Sequence, residues 1–386
     1  MGDGPVPSPR HDSGALRSPA DDFGLGCAHL GTDATDSGAY SWAVTVLLGF
    51  HHSYLDHDAG HGHPEAPDRL AAVTRGIARA GVAESVVEFA PRAATTEELL
   101  LVHSPTHLDA LARLSITHGG GRIDADTAAG PDSWEAALRA AGAGPSAIGR
   151  LDLGEADAAF LAVRPPGHHA RPGRAMGFCL LNNVAVTAAV LTQRGERVVV
   201  IDWDAHHGNG TQEAFYDDPR VLYVSMHQSP LYPGTGSPDE VGEGPAVGTT
   251  LNLPLPAGTT GDAYLAAFDR VVAPVCEAFG PTWLLVSAGF DAHRADPLTT
   301  MGLSAGDFAD LTVRVMELVG PCRRLFFLEG GYDLEALAAS AGSCVAALAG
   351  GSYRPETSTS GGPGRDGLDA VSQLREAAMS RADAGR

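Results

Sequence analysis

RVVVIDWDAHHGNGTQ, running from Arg197 to Gln212, sets a block of aliphatic residues directly against two acids and two histidines. An uninterrupted β-branched run such as Val198–Ile201 reads as a strand buried on both faces. Asp202, Asp204, His206 and His207 then stand at the mouth of that strand, where unpaired charge is strongly unfavourable and a bound cation neutralises it. Asp204 and His206 lie two apart at the end of an extended run, so their side chains project to one side and suit two ligands of a single ion. Asp291, just after LLVSAGF, is the candidate third ligand of a catalytic site that keeps an open position. Zn²⁺ is the first choice for such a donor set, and Fe²⁺ or Co²⁺ also suit it. An isolated D-x-H would read instead as a helix cap beside a packed histidine; the density of acids here argues for the cation.

The same pattern recurs along the chain. FLAV is followed by RPPGHH, LYVS by MHQ, LLVS by AGFDAH and LFFL by EGGY. The expected strands are Ala158 to Val163, Val198 to Asp202, Val221 to His227, Trp283 to Ser287 and Leu325 to Glu329, with AVTVLLG as a first core strand. They alternate with Ala- and Leu-rich stretches of helical period, which predicts an α/β fold: a central parallel sheet with helices on both faces. Any one loop would read as a turn and helix cap. Five polar, Gly-rich loops at the C-terminal ends of parallel strands mark a ligand crevice.

The remaining composition bounds the function. The 386 residues carry 26 Lys plus Arg against 47 Asp plus Glu, a formal charge of −21, which argues against nucleic acid or an anionic membrane as partner. Five dispersed cysteines with no CxxC pair suggest neither a disulfide framework nor a thiolate zinc site, and a reducing, cytoplasmic setting fits. The apolar run Trp42 to Phe50 is too short to span a bilayer. Residues 1–40 and 351–386 are rich in Gly, Pro and polar residues without apolar period, so both are expected as mobile tails around a catalytic domain at 41–350.

Other loops supply candidate chemistry. Adjacent His168 and His169, after a Pro-Pro-Gly turn, can divide acid–base work. Gly330 and Gly331 allow a close backbone approach, and Tyr332 offers a phenol donor for a developing oxyanion. Ureohydrolases share the strand followed by D-A-H, but their second metal needs further acids where this chain has Gly208 and His293, which disfavours a two-metal guanidine hydrolase.

Taken together, HDAGHGHPEAPDRL, RPPGHHA, MGFCLLNN, DWDAHHGNGTQ, VSMH, YPGTG, SAGFD and LEGGY, in this order between about His51 and Gly350, closely resemble the zinc-dependent histone deacetylase and acetylpolyamine amidohydrolase superfamily, nearest to class II and bacterial members. The resemblance implies the three-layer arginase–deacetylase fold. It implies Asp204, His206 and Asp291 as zinc ligands, His169 as general base and acid, and His168 as its electrostatic partner. Asp202 would back His168, Asn209 would orient His169, and Tyr332 would hold the oxyanion. Phe178 and Tyr232 would wall a tunnel in which the Gly177 carbonyl meets the amide N–H. Structural potassium is implied near Asp202, Ser225 and Met226, with a second ion near Phe215 and Val221.

Two departures shape the expected substrate. Asn209 stands where many class I members carry a carboxylate, so His169 is expected to stay neutral more easily. Leu298 stands in a D-P-L context where polyamine-selective members carry an acid, and His293 and Arg294 flank the same rim. An acyl-lysine peptide or protein is therefore the expected substrate. A small N-acyl amine or acetylpolyamine is the alternative, an inactive acyl-group reader is the non-enzyme alternative, and the oligomeric state is left open.

Overall fold

The computed structural model describes residues 1, 2, 4 and 44–384, so nearly all of the expected N-terminal tail lies outside the described residues. Eight strands form one sheet in which every pairing is parallel: β1 (Val46–Gly49), β2 (Val86–Phe89), β3 (Ala158–Leu161), β4 (Val198–Asp202), β5 (Val221–Gln228), β6 (Thr250–Leu255), β7 (Trp283–Ala288) and β8 (Arg324–Leu328). Their order across the sheet is β2-β1-β3-β8-β7-β4-β5-β6. The five strands whose loops carry polar residues, β3, β8, β7, β4 and β5, are therefore contiguous at its centre. Their side chains are almost wholly buried, the state that continuous aliphatic runs demand when helices cover both faces.

Strands β2 and β6 at the two edges were not foreseen. VVEF of β2 is half exposed and carries Glu88, while TLNLPL of β6 contains Asn252 and Pro254. Proline on an edge strand loses no ladder hydrogen bond it needs, so both segments pair despite a weak apolar signal. The first strand is also shorter than AVTVLLG, beginning at Val46.

The C-terminal segment differs most from expectation. Residues 351–384, read from sequence as part of a mobile tail, are packed against the body. Glu356 accepts from Ala305 N at 2.9 Å and contacts His293 Nε2 at 2.7 Å and Arg294 Nη2 at 2.5 Å. Thr359 N donates to Asp307 Oδ1 at 2.9 Å, while Thr359 Oγ1 accepts from Gly261 N at 2.9 Å. A helix, Leu368–Ala384, follows, with Leu368 in the main core. Polar bonds to helix starts and turns hold this strap, which is why composition made it look solvated. Among the described residues no helix is long and apolar enough to cross a membrane.

Leu368 is 1% exposed and Leu374, on the same helix, 53%. Leu368→Asp should lower stability by about 3 kcal/mol in thermal or denaturant unfolding, and Leu374→Asp should change it by less than about 0.5 kcal/mol. Two equally silent substitutions would mean that the helix is not packed in solution.

Candidate active site and metal centre

The ladder of β4 ends at Asp202, and the chain then turns rather than continuing extended. Trp203 is buried beneath the turn against Phe326 and Phe308, with ring centroids 5.9 and 6.5 Å away. Asp204 Oδ1 accepts from His206 N at 2.9 Å, so a local side-chain turn, not strand alternation, brings these two residues to one side. The two carboxylates also join separate loops. Asp204 Oδ2 accepts from Gly330 N at 2.8 Å, after β8, and Asp291 Oδ1, after β7, accepts from Ala205 N at 2.8 Å.

His206 Nδ1 lies 3.2 Å from Asp204 Oδ1 and 2.9 Å from Asp291 Oδ2. One ligand atom from each of the three residues lies within 4.8 Å of the others. Bonds of about 2.0 Å from a tetrahedral centre would separate ligand atoms by about 3.3 Å, close to the two histidine spacings. Asp204 and Asp291 are both fully buried. Without a cation, burial and then Asp204 push the Asp291 carboxyl up to about 7. Glycine makes room for this concentration of oxygens: a Cβ on Gly330 would stand 2.2 Å from Asp291 Oδ2, and one on Gly289 2.1 Å from Asp204 Oδ2. Two carboxylates and an imidazole, already spaced and short of positive charge, fit a divalent ion.

Beside this cluster the His168 and His169 rings lie 4.0 Å apart between centroids, tilted by 42°. Gly167 N and His168 N both donate to Glu329 Oε2, at 2.7 and 3.2 Å, which fixes the turn that carries the pair. His168 Nδ1 lies 3.1 Å from Asp202 Oδ2, and that oxygen also accepts from Tyr223 OH at 3.1 Å. Burial opposes the His168 cation, but Asp204 and Asp202 outweigh it and hold the pKa well above the usual histidine value. His169 is the reverse: burial, then His168 and His206, hold it well below the usual value. Its Nδ1 is 2.8 Å from Asn209 Oδ1, and the Asn209 amide nitrogen is 3.5 Å from Met176 Sδ. With Oδ1 as acceptor, Nδ1 carries the hydrogen and Nε2 keeps a free lone pair.

Tyr332 is set by groups that no sequence spacing brought to notice. Its N–H donates to Asp296 Oδ2 at 2.7 Å, and Asp296 Oδ1 accepts from Leu298 N at 2.9 Å, tying the tyrosine to the rim. The fully buried Arg69 guanidinium stands 5.0 Å from the Tyr332 ring centroid. Arg69 also donates to Gly331 O at 2.8 Å and to Glu329 O. Glu65 lies 3.3 Å from Arg69 and 2.7 Å from Arg164, whose other donors reach Tyr54 O and His57 O. Burial raises the Tyr332 pKa well above its usual value although Arg69 pulls the other way, so the phenol keeps its proton.

A cavity of about 230 Å³ joins His168, His169, His206, Gly330 and Tyr332 to Gly177, Phe178, Tyr232 and Leu298. Gly177 has φ +57° and presses on His169, where a Cβ would meet Cδ2 at 2.4 Å. Phe178 has φ +68°, a left-handed conformation that costs a bulky residue about 1–3 kcal/mol and persists where the surroundings impose it. The Phe178 ring meets Tyr332 edge-on at 5.7 Å, and Tyr232 meets His169 edge-on at 5.2 Å. The Gly177 carbonyl is 3.3 Å from Cys179 Sγ. Asp126 also lines this cavity, a carboxylate that sequence reading did not single out. Ser225 and Asp202 are register partners on β5 and β4, with Ser225 Oγ 2.9 Å from His227 Nδ1 and the Met226 carbonyl 3.5 Å from Tyr264 OH. Phe215 and Val221 flank the turn before β5, and Phe215 O accepts from Asp218 N at 3.2 Å.

A family model described as the histone deacetylase domain matches residues 63–348. The chain is 42% identical over 314 residues to a "Probable deacetylase" of Archaeoglobus fulgidus, covering 80% of this chain and 87% of that protein. It is 39% identical over 349 residues to Histone deacetylase 15 of Arabidopsis thaliana, covering 88% of this chain and 62% of that longer protein. The crystal structure of the HDA15 HD domain matches with a TM-score of 0.79 at 35% identity, over 89% of this chain and 98% of that one. The parallel sheet flanked by helices is accordingly the arginase–deacetylase fold. The chain belongs to the histone deacetylase family and is a hydrolase of the deacetylase kind.

Proposed function

We propose that this deacetylase removes acetyl or related acyl groups from lysine side chains of peptides or proteins, with zinc held by Asp204, His206 and Asp291. The observation that carries this reading is convergence on one cavity: His206 of the ligand cluster, His169 with its free Nε2 and Tyr332 with its protonated phenol all line it. A divalent ion held there would supply Lewis acidity toward the acyl carbonyl and toward water. His169 Nε2 accepts the proton of the attacking water while Asn209 holds Nδ1. Tyr332 donates a hydrogen bond to the carbonyl oxygen as it gains charge. His169 Nε2 then returns the proton to the departing amine, the C–N bond breaks, and a carboxylate and a free amine leave. Potassium beside Asp202 and Ser225 belongs to the same proposal, since it would add positive charge beneath the acids that hold His168 charged.

Acetylpolyamine hydrolysis is the second reading. Asp126, on the cavity, favours it by offering a carboxylate to an ammonium group; Leu298, 38% exposed at the rim, favours the uncharged stem of a lysine in a chain.

The test is a panel of acetyl-lysine peptide, trifluoroacetyl-lysine peptide, acetylspermidine and acetylputrescine. Peptide turnover should dominate, fall at least about 100-fold in Tyr332→Phe, and disappear on chelation until zinc is restored. Zinc should also raise the Tm of the wild type and not of Asp291→Ala. Binding of zinc with no amide turned over would make the protein a reader of acyl groups.

Two substitutions examine finer points. Because the His169 pKa is depressed, its neutral form persists to low pH, and the acidic limb of the kcat/KM profile should lie below the usual histidine range. A carboxylate in Asn209→Asp favours the imidazolium, so that limb should move to higher pH; an unmoved limb would remove His169 as the titrating base. Leu298→Glu should raise acetylspermidine turnover relative to peptide by roughly threefold to tenfold, read as a ratio of kcat/KM values.

A further inference from the structure

A second cavity, of about 460 Å³, lies outside the catalytic set. Its walls come from the helix Pro105–Ala112, the π-helical turn Arg113–Thr117 that continues it, residues 122 and 123 of a small hairpin, and the loop 173–175. Leu111, Leu114 and Ile123 supply an apolar lining, and Arg113, Arg122 and Arg174 stand exposed around it. The π-turn closes through His118 N donating to Arg113 O at 3.0 Å, a widened turn of the kind retained where side chains must be re-aimed. Ile116 on that turn is 67% exposed.

Three arginines around one apolar cleft stand out in a chain of formal charge −21. Their charge is only partly answered. Arg174 has a loose 3.8 Å pair with Asp124, and Arg122 donates to the carbonyls of Asp124 and Ala125, which carry no net charge. Arg113 makes no ion pair among the described residues. The one acid near it on its own helix is Asp109, one turn back and exposed.

Two loops contribute to both this cleft and the catalytic cavity. Ile123 precedes Asp126 by three residues, and Ala175 precedes Gly177 by two, with Asp126 and Gly177 both on the catalytic cavity. At a reach of at most about 3.5 Å per residue, the cleft edge lies within about 11 Å of one and 7 Å of the other. An extended peptide with its acyl-lysine in the cavity covers that distance in two to four residues.

We infer that this cleft is the subsite for the polypeptide flanking the acyl-lysine, and that it selects flanks combining a large apolar side chain with acidic residues. The inference rests on the lysine deacylase reading. Asp126 on the catalytic cavity places the preferred acids away from the lysine itself, at the distance of the arginines.

The test uses three acetyl-lysine substrates: an amide with no flank, a peptide with Leu and two Glu two to four residues from the lysine, and the same peptide with Lys for Glu. The wild type should prefer the acidic peptide over the basic one by about fivefold in kcat/KM, mainly through KM, and the ratio should shrink with added salt. Arg113→Ala should reduce the ratio, and Arg113→Glu should bring it close to one, while both hydrolyse the flankless amide as the wild type does. Equal use of the two peptides, or a ratio unmoved by Arg113→Glu, overturns the subsite and leaves the cleft to a separate partner. Failure of the wild type on every acetyl-lysine substrate, the flankless amide included, sinks the deacylase reading instead and this inference with it.

Discussion

Four carboxylates, Asp202, Asp204, Asp291 and Glu329, are fully buried at the C-terminal ends of adjacent strands, and the rest of the site is organised by the need to neutralise them. No lysine or arginine side chain bonds to any of the four among the described residues. Their partners are backbone N–H groups, Tyr223, Ser287 and two histidines: His168 on Asp202, and His206 between Asp204 and Asp291. Each unanswered charge in such surroundings costs several kcal/mol, so the arrangement favours positive charge at its centre. The carboxylates in turn stitch the loops together, because Gly330 N, Ala205 N and Gly167 N come from three different loops and all donate into this cluster.

A second buried charge system lies on the other side of Tyr332. Glu65 is shared by Arg69 and Arg164, and burial, which would raise its pKa, is overcome by Arg164, His57 and Arg69. Losing one member of such a network leaves an uncompensated buried charge, which costs about 3–5 kcal/mol. The function of this expense is positional. Arg69 ties the carbonyls on both sides of Gly330 to the helix Asp68–Ala80 and underlies the Tyr332 ring, while Asp296 fixes the Tyr332 N–H from the opposite loop. The tyrosine is thus held from two elements before any ligand arrives.

The central strands and the loops that follow them could be read from the chain because burial on both faces forces continuous aliphatic runs, and the polar residues beyond such runs stand out. Edge strands β2 and β6 lack that constraint, so Glu88, Asn252 and Pro254 diluted the signal. The metal-ligand candidates were legible for the same reason as the strands: acids at a strand mouth are costly and therefore conspicuous. Asp296, Glu329 and Arg69 were passed over because their meaning depends on which distant loop they face. Nothing in E-G-G-Y says that Glu329 will receive two N–H groups from Gly167 and His168. The strap beyond residue 350 was misread because Thr359 and Glu356 are polar, and polarity reports hydration only when a side chain has no partner in the fold.

The histidine pair shows how far environment outweighs residue type. His168 and His169 are adjacent, both buried and 4.0 Å apart, yet their proton affinities move in opposite directions. Burial acts on both; the Asp204 and Asp202 carboxylates overcome it at His168, whereas His168 and His206 add to it at His169, where Nδ1 meets only an amide oxygen. Once His168 is charged, its field acts on the neighbouring ring and lowers the affinity of His169 further, so the two assignments reinforce each other. The backbone holds both rings in place. Glu329 anchors the turn from below, and Gly177 packs against His169 so closely that a side chain there would overlap the ring. The folded chain itself therefore favours a neutral ring with its lone pair on the cavity beside a cationic one, before substrate enters.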